Sequence, residues 1–310
     1  MRKAAVVAGL LIMLSGCART AVPVPVGARP SGLATAASVT PTATATPTPT
    51  VPSTPPPKPP TVPTTADTPP DIESLDDVYL LKNDVYAAGQ VPAVACKLPN
   101  SVLRTKKDVQ SYSNAVVDCL QRAWKPVVER ANFVFTPTTV YTVAKGTRTA
   151  CGTFGADDDA YYCSQNNGIY LDWHNYTADG DRLWAQTGLQ FVMAHEFGHH
   201  VQELVAIMQY YDERWWRTKG TARLELSRRL ELQATCFAGA FLSANQQPLA
   251  LYGERLDDYR RMAYSGDDQS LPSQRDHGSP KSSTYWSKGA FKAKSPSACN
   301  TWAAPTKRVT

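Results

Sequence analysis

Two histidines and a glutamate lie close together in His195-Glu196-Phe197-Gly198-His199. Residues four apart on a helix share a face about one turn (~5.4 Å) apart, so both imidazoles can ligate one ion. Glu196, one step round, can reach a water at the metal rather than the metal, as in a zinc hydrolase with a carboxylate base. Catalytic zinc needs a third protein ligand and an open fourth position. The extended pattern ending in a third histidine fails here, because Gln202 and Val205 stand where Gly and His are required. A glutamate on a later helix is the other common solution, and Glu225 and Glu231 compete for it. Helical spacing puts Glu231 on one face with Ala234, Thr235 and Ala238, small groups that let another helix approach closely. Glu225 instead faces Arg228 and Arg229, as expected of a solvated ion-pair surface. The expected ligands are therefore His195, His199 and Glu231, around one zinc ion per chain, with Glu196 as the catalytic carboxylate.

The remaining histidines are read differently. His200 points about 100° away from His199 and should pack or hydrogen-bond rather than ligate. His174 follows an expected strand, where a surface role is the default. His277 lies in a His277-Gly278-Ser279 turn, which by itself reads as a device that fixes loop geometry.

Elements that could position these groups follow from hydrophobic periodicity. The spacing predicts a helix over Lys107–Asn132, with Pro126 kinking or splitting it near its end. Long helices are expected over Arg182 to about Met208, carrying the histidines, and Thr221–Ala244, carrying Glu231. A shorter one is expected over Pro248–Met262. Thr138–Val143 and Ile169–Asp172 read as strands, the second after the turn signal Asn166-Asn167-Gly168. That second strand is either an edge that pairs with an extended substrate or an interior strand. The fold class is α+β: a mostly helical domain with a small β-sheet over residues 72–310.

The chain's first 71 residues differ in kind. Arg2 and Lys3 precede a short apolar run, Ala4–Leu14, which ends in Leu14-Ser15-Gly16-Cys17. This reads as a signal peptide (residues 1–17) closing in a lipobox, with acylation of Cys17 expected. Two or more acyl chains would give stable anchoring. Twelve of the 24 prolines fall between Pro41 and Pro70, so residues 18–71 form a disordered Pro/Thr/Ala-rich spacer. Extended at about 3.1 Å per residue, some 50 residues would reach on the order of 150 Å. The expected location is the outer face of the cell membrane, lipid-anchored. Six of the seven cysteines then remain to pair, as suits an exported protein. Cys151 and Cys163 bracket the polar Asp157-Asp158-Asp159 turn and are expected to pair, and Cys96–Cys119 and Cys236–Cys299 follow. The last would clamp the C-terminal segment onto the Glu231 helix. No C-x-x-C occurs, which disfavours a cysteine zinc site. The net charge of +5 is modest and diffuse, so no nucleic-acid partner is expected. The absence of 18 consecutive apolar residues excludes a multi-spanning membrane protein.

Leu189-Gln-Phe-Val-Met-Ala-His195-Glu-Phe-Gly-His199-His200-Val-Gln202, followed by Glu231-Leu-Gln-Ala-Thr-Cys-Phe-Ala-Gly239, resembles the bacterial "putative neutral zinc metallopeptidases", which are gluzincin-like. Cys151-Gly152, Tyr162-Cys163, Ile169–Asp172, and His277-Gly278-Ser279 before Tyr285-Trp286 and Gly289 fit the same likeness, which runs from about Cys151 to Gly289. The resemblance implies a zincin-like fold, with His195, His199 and Glu231 as ligands and Glu196 as catalytic carboxylate. It also implies that His277 either stabilises the tetrahedral intermediate, as a distant histidine often does in gluzincins, or only fixes its loop. One position departs from it. The family's second motif usually ends in aspartate, placed to orient a ligand histidine, and here that position is Thr235. A hydroxyl still accepts a hydrogen bond but carries no charge to raise imidazole basicity.

The function expected is therefore an envelope-anchored zinc peptidase acting on a peptide or protein substrate. Two alternatives share the scaffold. One is a catalytically weak or inactive lipoprotein acting in binding or assembly at the envelope, and the other an amidase acting on cell-wall peptides.

Overall fold

The computed structural model describes residues 74–177, 182–266 and 275–310. The signal peptide, Cys17 and the 18–71 spacer lie outside the described residues. Among the described residues, no helix is long and apolar enough to cross a membrane.

The architecture is α+β and mostly helical. Helix α1 (Leu75–Leu81) precedes α2 (Lys106–Arg130), β1 (Thr139–Val143), β2 (Arg148–Thr149), β3 (Gly152–Thr153), β4 (Ala160–Cys163) and β5 (Gly168–Asp172). Helices α3 (Arg182–Leu204), α4 (Ile207–Arg217), α5 (Gly220–Ala244), α6 (Glu254–Ala263) and α7 (Pro280–Ala293) follow. The start of α2 is written in a capping box: Asp108 N–H donates to Thr105 Oγ1 (3.2 Å) while Thr105 N–H donates to Asp108 Oδ2 (2.9 Å). Pro126 does not split α2, which runs on to Arg130. Proline leaves the Arg122 carbonyl without its helical donor, but Trp124, Val127 and Val128 around it are fully buried, and that packing carries the helix through.

Strand β5 is the middle of a three-stranded sheet, parallel to β1 (Val140 opposite Ile169) and antiparallel to β4 (Tyr162 opposite Ile169). Ile169–Asp172 is thus the interior strand of the two options, and all of β5 is buried. Edge strand β4, which packs against α3, was not expected from the sequence. Four residues, of which Ala160, Tyr162 and Cys163 are buried, give too short a signal. The β2–β3 hairpin is tied to β4 by the Cys151–Cys163 disulfide, and Cys96–Cys119 and Cys236–Cys299 are also joined.

The expected 182–208 helix stops early. Ala206 takes a left-handed conformation (φ 62°), and α4 begins at once in a new direction. Neither Gly nor Pro marks this corner. Asn83, 122 positions away, donates Nδ2–H to the Val205 carbonyl (2.8 Å) and so satisfies the helix end. The expected 248–262 helix starts later, at Glu254, after Gly253 with φ 53°.

Helix α3 is the centre of the fold. Every residue from Ala185 to Gln202 is buried, and α2, α4, α5 and α6 pack round it. Its contact with α5 is the closest point: a Cβ placed on Gly198 would lie 2.8 Å from the Ala234 carbonyl oxygen and 2.9 Å from its Cα. Backbone, not a flexible side chain, sets that limit. Alanine is the better helix former by about 1 kcal/mol, so Gly198→Ala would stabilise α3 in isolation. Here the substitution is expected to lower the thermal midpoint and weaken zinc binding by forcing α3 and α5 apart. Thermal unfolding and metal titration of the variant check this.

Candidate metal centre

The α3–α5 crossing puts the motif helix against the Glu231 helix. Glu231 Oε2 lies 3.2 Å from His195 Nε2 and 3.1 Å from His199 Nε2, all three side chains being buried. One ligand atom from each falls within 4.8 Å of the others, and they are the one such group of three found among the described residues.

Both imidazoles are held by their other nitrogen. His195 Nδ1–H donates to Thr235 Oγ1 (3.1 Å), and His199 Nδ1–H donates to Gln202 Oε1 (2.8 Å). Each Nε2 is thereby turned towards Glu231. Two imidazoles and a carboxylate with tied outer nitrogens are the donor set of a hydrolytic zinc site, so the residues fit the metal. Thr235 occupies the orienting position assigned to it from the sequence. Gln202, read there only as a failure of the longer motif, orients the second histidine. It is itself fixed, donating to the Leu230 carbonyl (2.8 Å) and to Gln233 Oε1 (3.0 Å). Its spacing of three from His199 on one helix was the signal available.

The charges interlock. Burial pulls His195 down to about 4. Burial would lower His199 too, but the Glu231 carboxylate outweighs it and raises the imidazole to about 9. Burial would raise Glu231, yet His199 and His277 hold its carboxyl well below the usual carboxylate range. Glu196, 3 % exposed, is pushed up to about 7 by burial, against the pull of His199 and a hydrogen bond from the Tyr162 backbone N–H. Such a value suits a group that must take and return a proton near neutrality.

His277 is brought to the same place, its Nε2 3.5 Å from Glu231 Oε2. Its Nδ1–H donates to Asp276 Oδ1 (2.6 Å), a carboxylate that sequence reasoning did not single out. Gly278, at φ 85°, allows the turn to lie against Leu232, where a Cβ would meet Cδ1 at 2.9 Å. His200 is fully buried, bonded to the Thr136 carbonyl (2.8 Å) and beside the Tyr162 hydroxyl (3.1 Å), so it packs as expected. His174 is half-exposed against Asp172. Glu225 departs from its expected solvated face: its partner Arg229 is buried and donates to the carbonyls of Thr301, Trp302 and Ala304.

A family model described as "Putative neutral zinc metallopeptidase" matches residues 77–302. The chain belongs to this family. The match reaches well before Cys151, where the motif likeness begins, and so takes in most of α1, all of α2 and the sheet. Among the relatives of this chain, "Uncharacterized protein YpfJ" of Escherichia coli K12 is 26% identical over 213 residues, 65% of this chain and 74% of that protein. "Uncharacterized protein Rv2575" of Mycobacterium tuberculosis H37Rv is 26% identical over 178 residues, 50% of this chain and 59% of that one. No solved structure matches.

Removing either orienting group should cost metal. Gln202→Ala is expected to weaken zinc affinity by about 10–100-fold, and Thr235→Asp to strengthen it or speed turnover; competition with a chromophoric chelator measures both affinities. Zinc must also displace the proton held by His199. Apparent affinity should therefore rise with pH up to about 9 and fall below it, with roughly one proton released per ion. Calorimetry in buffers of different ionisation enthalpy counts that proton.

Proposed function

We propose that the chain is a zinc-dependent peptidase at the cell envelope, with His195, His199 and Glu231 holding the ion and Glu196 acting as general base. The observation that carries this reading is the convergence of the three ligand atoms within 4.8 Å beside the buried carboxylate of Glu196. When bound, zinc supplies a water of lowered pKa and a Lewis acid for the substrate carbonyl. Glu196 takes a proton from the attacking water and returns it to the leaving amine. His277, steadied by Asp276, stands where it can hydrogen-bond the oxyanion that develops. The outer edge of β4, whose Tyr162 N–H already faces Glu196, offers an extended peptide backbone a line of partners, the role first considered for β5.

Threonine at position 235, where the family usually has an aspartate, is the feature that would favour a binding-only scaffold. Its hydroxyl fills the orienting position at His195, which favours the catalytic reading. Location at the envelope rests on the sequence alone. The lipobox at Cys17 and the Pro-rich spacer would tether the domain outside the membrane within reach of exported proteins.

Glu196→Gln should keep zinc and lose hydrolysis of a casein or peptide-library substrate by several orders of magnitude. Full activity in a zinc-loaded variant would contradict the reading. Cleavage of cell-wall peptides but not of protein chains would instead identify an amidase using the same chemistry.

A further inference from the structure

Beside the ligands a cavity of about 230 Å³ opens between α4 and the N-terminal half of α5, with His199 and Glu231 in its wall. Its size is below the ~300 Å³ at which sites for whole drug-sized ligands begin, and it suits one large side chain. The lining is mainly apolar: Met208, Tyr211 and Trp215 from α4, and Leu224 and Leu230 from α5. Tyr211, Trp215 and Leu224 are only partly buried, so apolar surface faces water inside a concave site. Covering such surface is favourable in proportion to its area.

The polar groups in the same wall are already engaged. Arg223 lies with its guanidinium 3.7 Å from the centre of the Trp215 ring and donates Nε–H to the carbonyls of Trp215 (3.1 Å) and Thr218 (3.0 Å). That cation closes the α4–α5 corner. Asp276 accepts from His277. What remains to meet a ligand is the aromatic and aliphatic surface.

We propose that this cavity receives a bulky apolar side chain, aromatic or long aliphatic, from the substrate residue flanking the scissile bond, and so sets specificity. The assignment rests on the peptidase reading, because a group in the cavity is adjacent to the cut only if the reaction takes place at His199 and Glu231. The α4 corner then has a purpose. An uninterrupted α3 would not carry Met208, Tyr211 and Trp215 back beside the ligands.

The test uses the zinc-loaded full chain and amino-acid hydroxamates, whose head group binds zinc whatever the side chain. Calorimetry should show N-acetyl-phenylalanine and N-acetyl-leucine hydroxamates binding at least ~10-fold tighter than the glycine compound, within the ~10–200-fold that apolar pockets typically discriminate. Leu224→Trp, which fills the cavity, should abolish that preference and leave glycine hydroxamate affinity within about twofold. Ser227→Phe, about one turn further along the same wall, should do the same if Leu224→Trp proves unstable. Equal preference in wild type and both variants would overturn the proposal, as would tighter binding of lysine hydroxamate, which would put the acidic wall of Asp212 and Asp276 in control. Peptide-library cleavage separates the two claims. Hydrolysis without apolar selection sinks the pocket and keeps the peptidase, whereas hydroxamate selection without hydrolysis keeps the pocket and sinks the peptidase.

Discussion

The backbone contact between Gly198 and Ala234 is the constraint on which the site depends. With no side chain at Gly198, α3 and α5 come close enough for Glu231 to meet both histidines and for Thr235 to meet His195. One methyl group at that crossing would separate ligands that must agree to a few tenths of an ångström. The small residues of α5 and the glycine of the motif are therefore as much a part of the metal centre as its donors.

Around that crossing runs a buried polar chain that ends at the metal. The Cys236–Cys299 disulfide holds the C-terminal segment on α5. Gln233 donates to the Cys299 carbonyl (3.0 Å) and accepts from Trp302 Nε1–H (3.3 Å). Its Oε1 also accepts from Gln202, which in turn holds His199. Arg229 adds a second clamp on carbonyls of Thr301 to Ala304. Buried amides of this kind are costly if left unpaired and rigid when satisfied. The chain end thus serves the orientation of a ligand a hundred residues earlier.

How much of this the sequence discloses depends on the range of the interaction. The motif histidines were legible because helical spacing gathers them, Glu231 because its helix face is small and apolar where that of Glu225 is charged, and Thr235 only through the family likeness. Of the disulfides, Cys151–Cys163 showed in its short separation about a polar turn, which leaves three ways to pair the other four cysteines. The long helices α2, α3 and α5 announce themselves by periodicity. The corner at Ala206 does not, since its stabilising partner Asn83 is distant and alanine is no turn signal. Helix α4 and the cavity it borders were hidden for that reason. Gln202 was visible yet misread, because a departure from one motif was taken as an absence rather than as a residue with its own hydrogen bonds. Asp276 needed the fold to bring its turn to Glu231. Arg229 was expected in solvent because an i, i+4 pair says nothing of what packs over it.

The most direct test of the account is the zinc content of the purified full chain, oxidised and dialysed without chelator, alongside Glu231→Ala. The account predicts about one tightly bound ion per chain in the wild type and its loss in the variant. Zinc retained by the variant would mean that another group completes the site, and a wild type without zinc would contradict the metal centre itself.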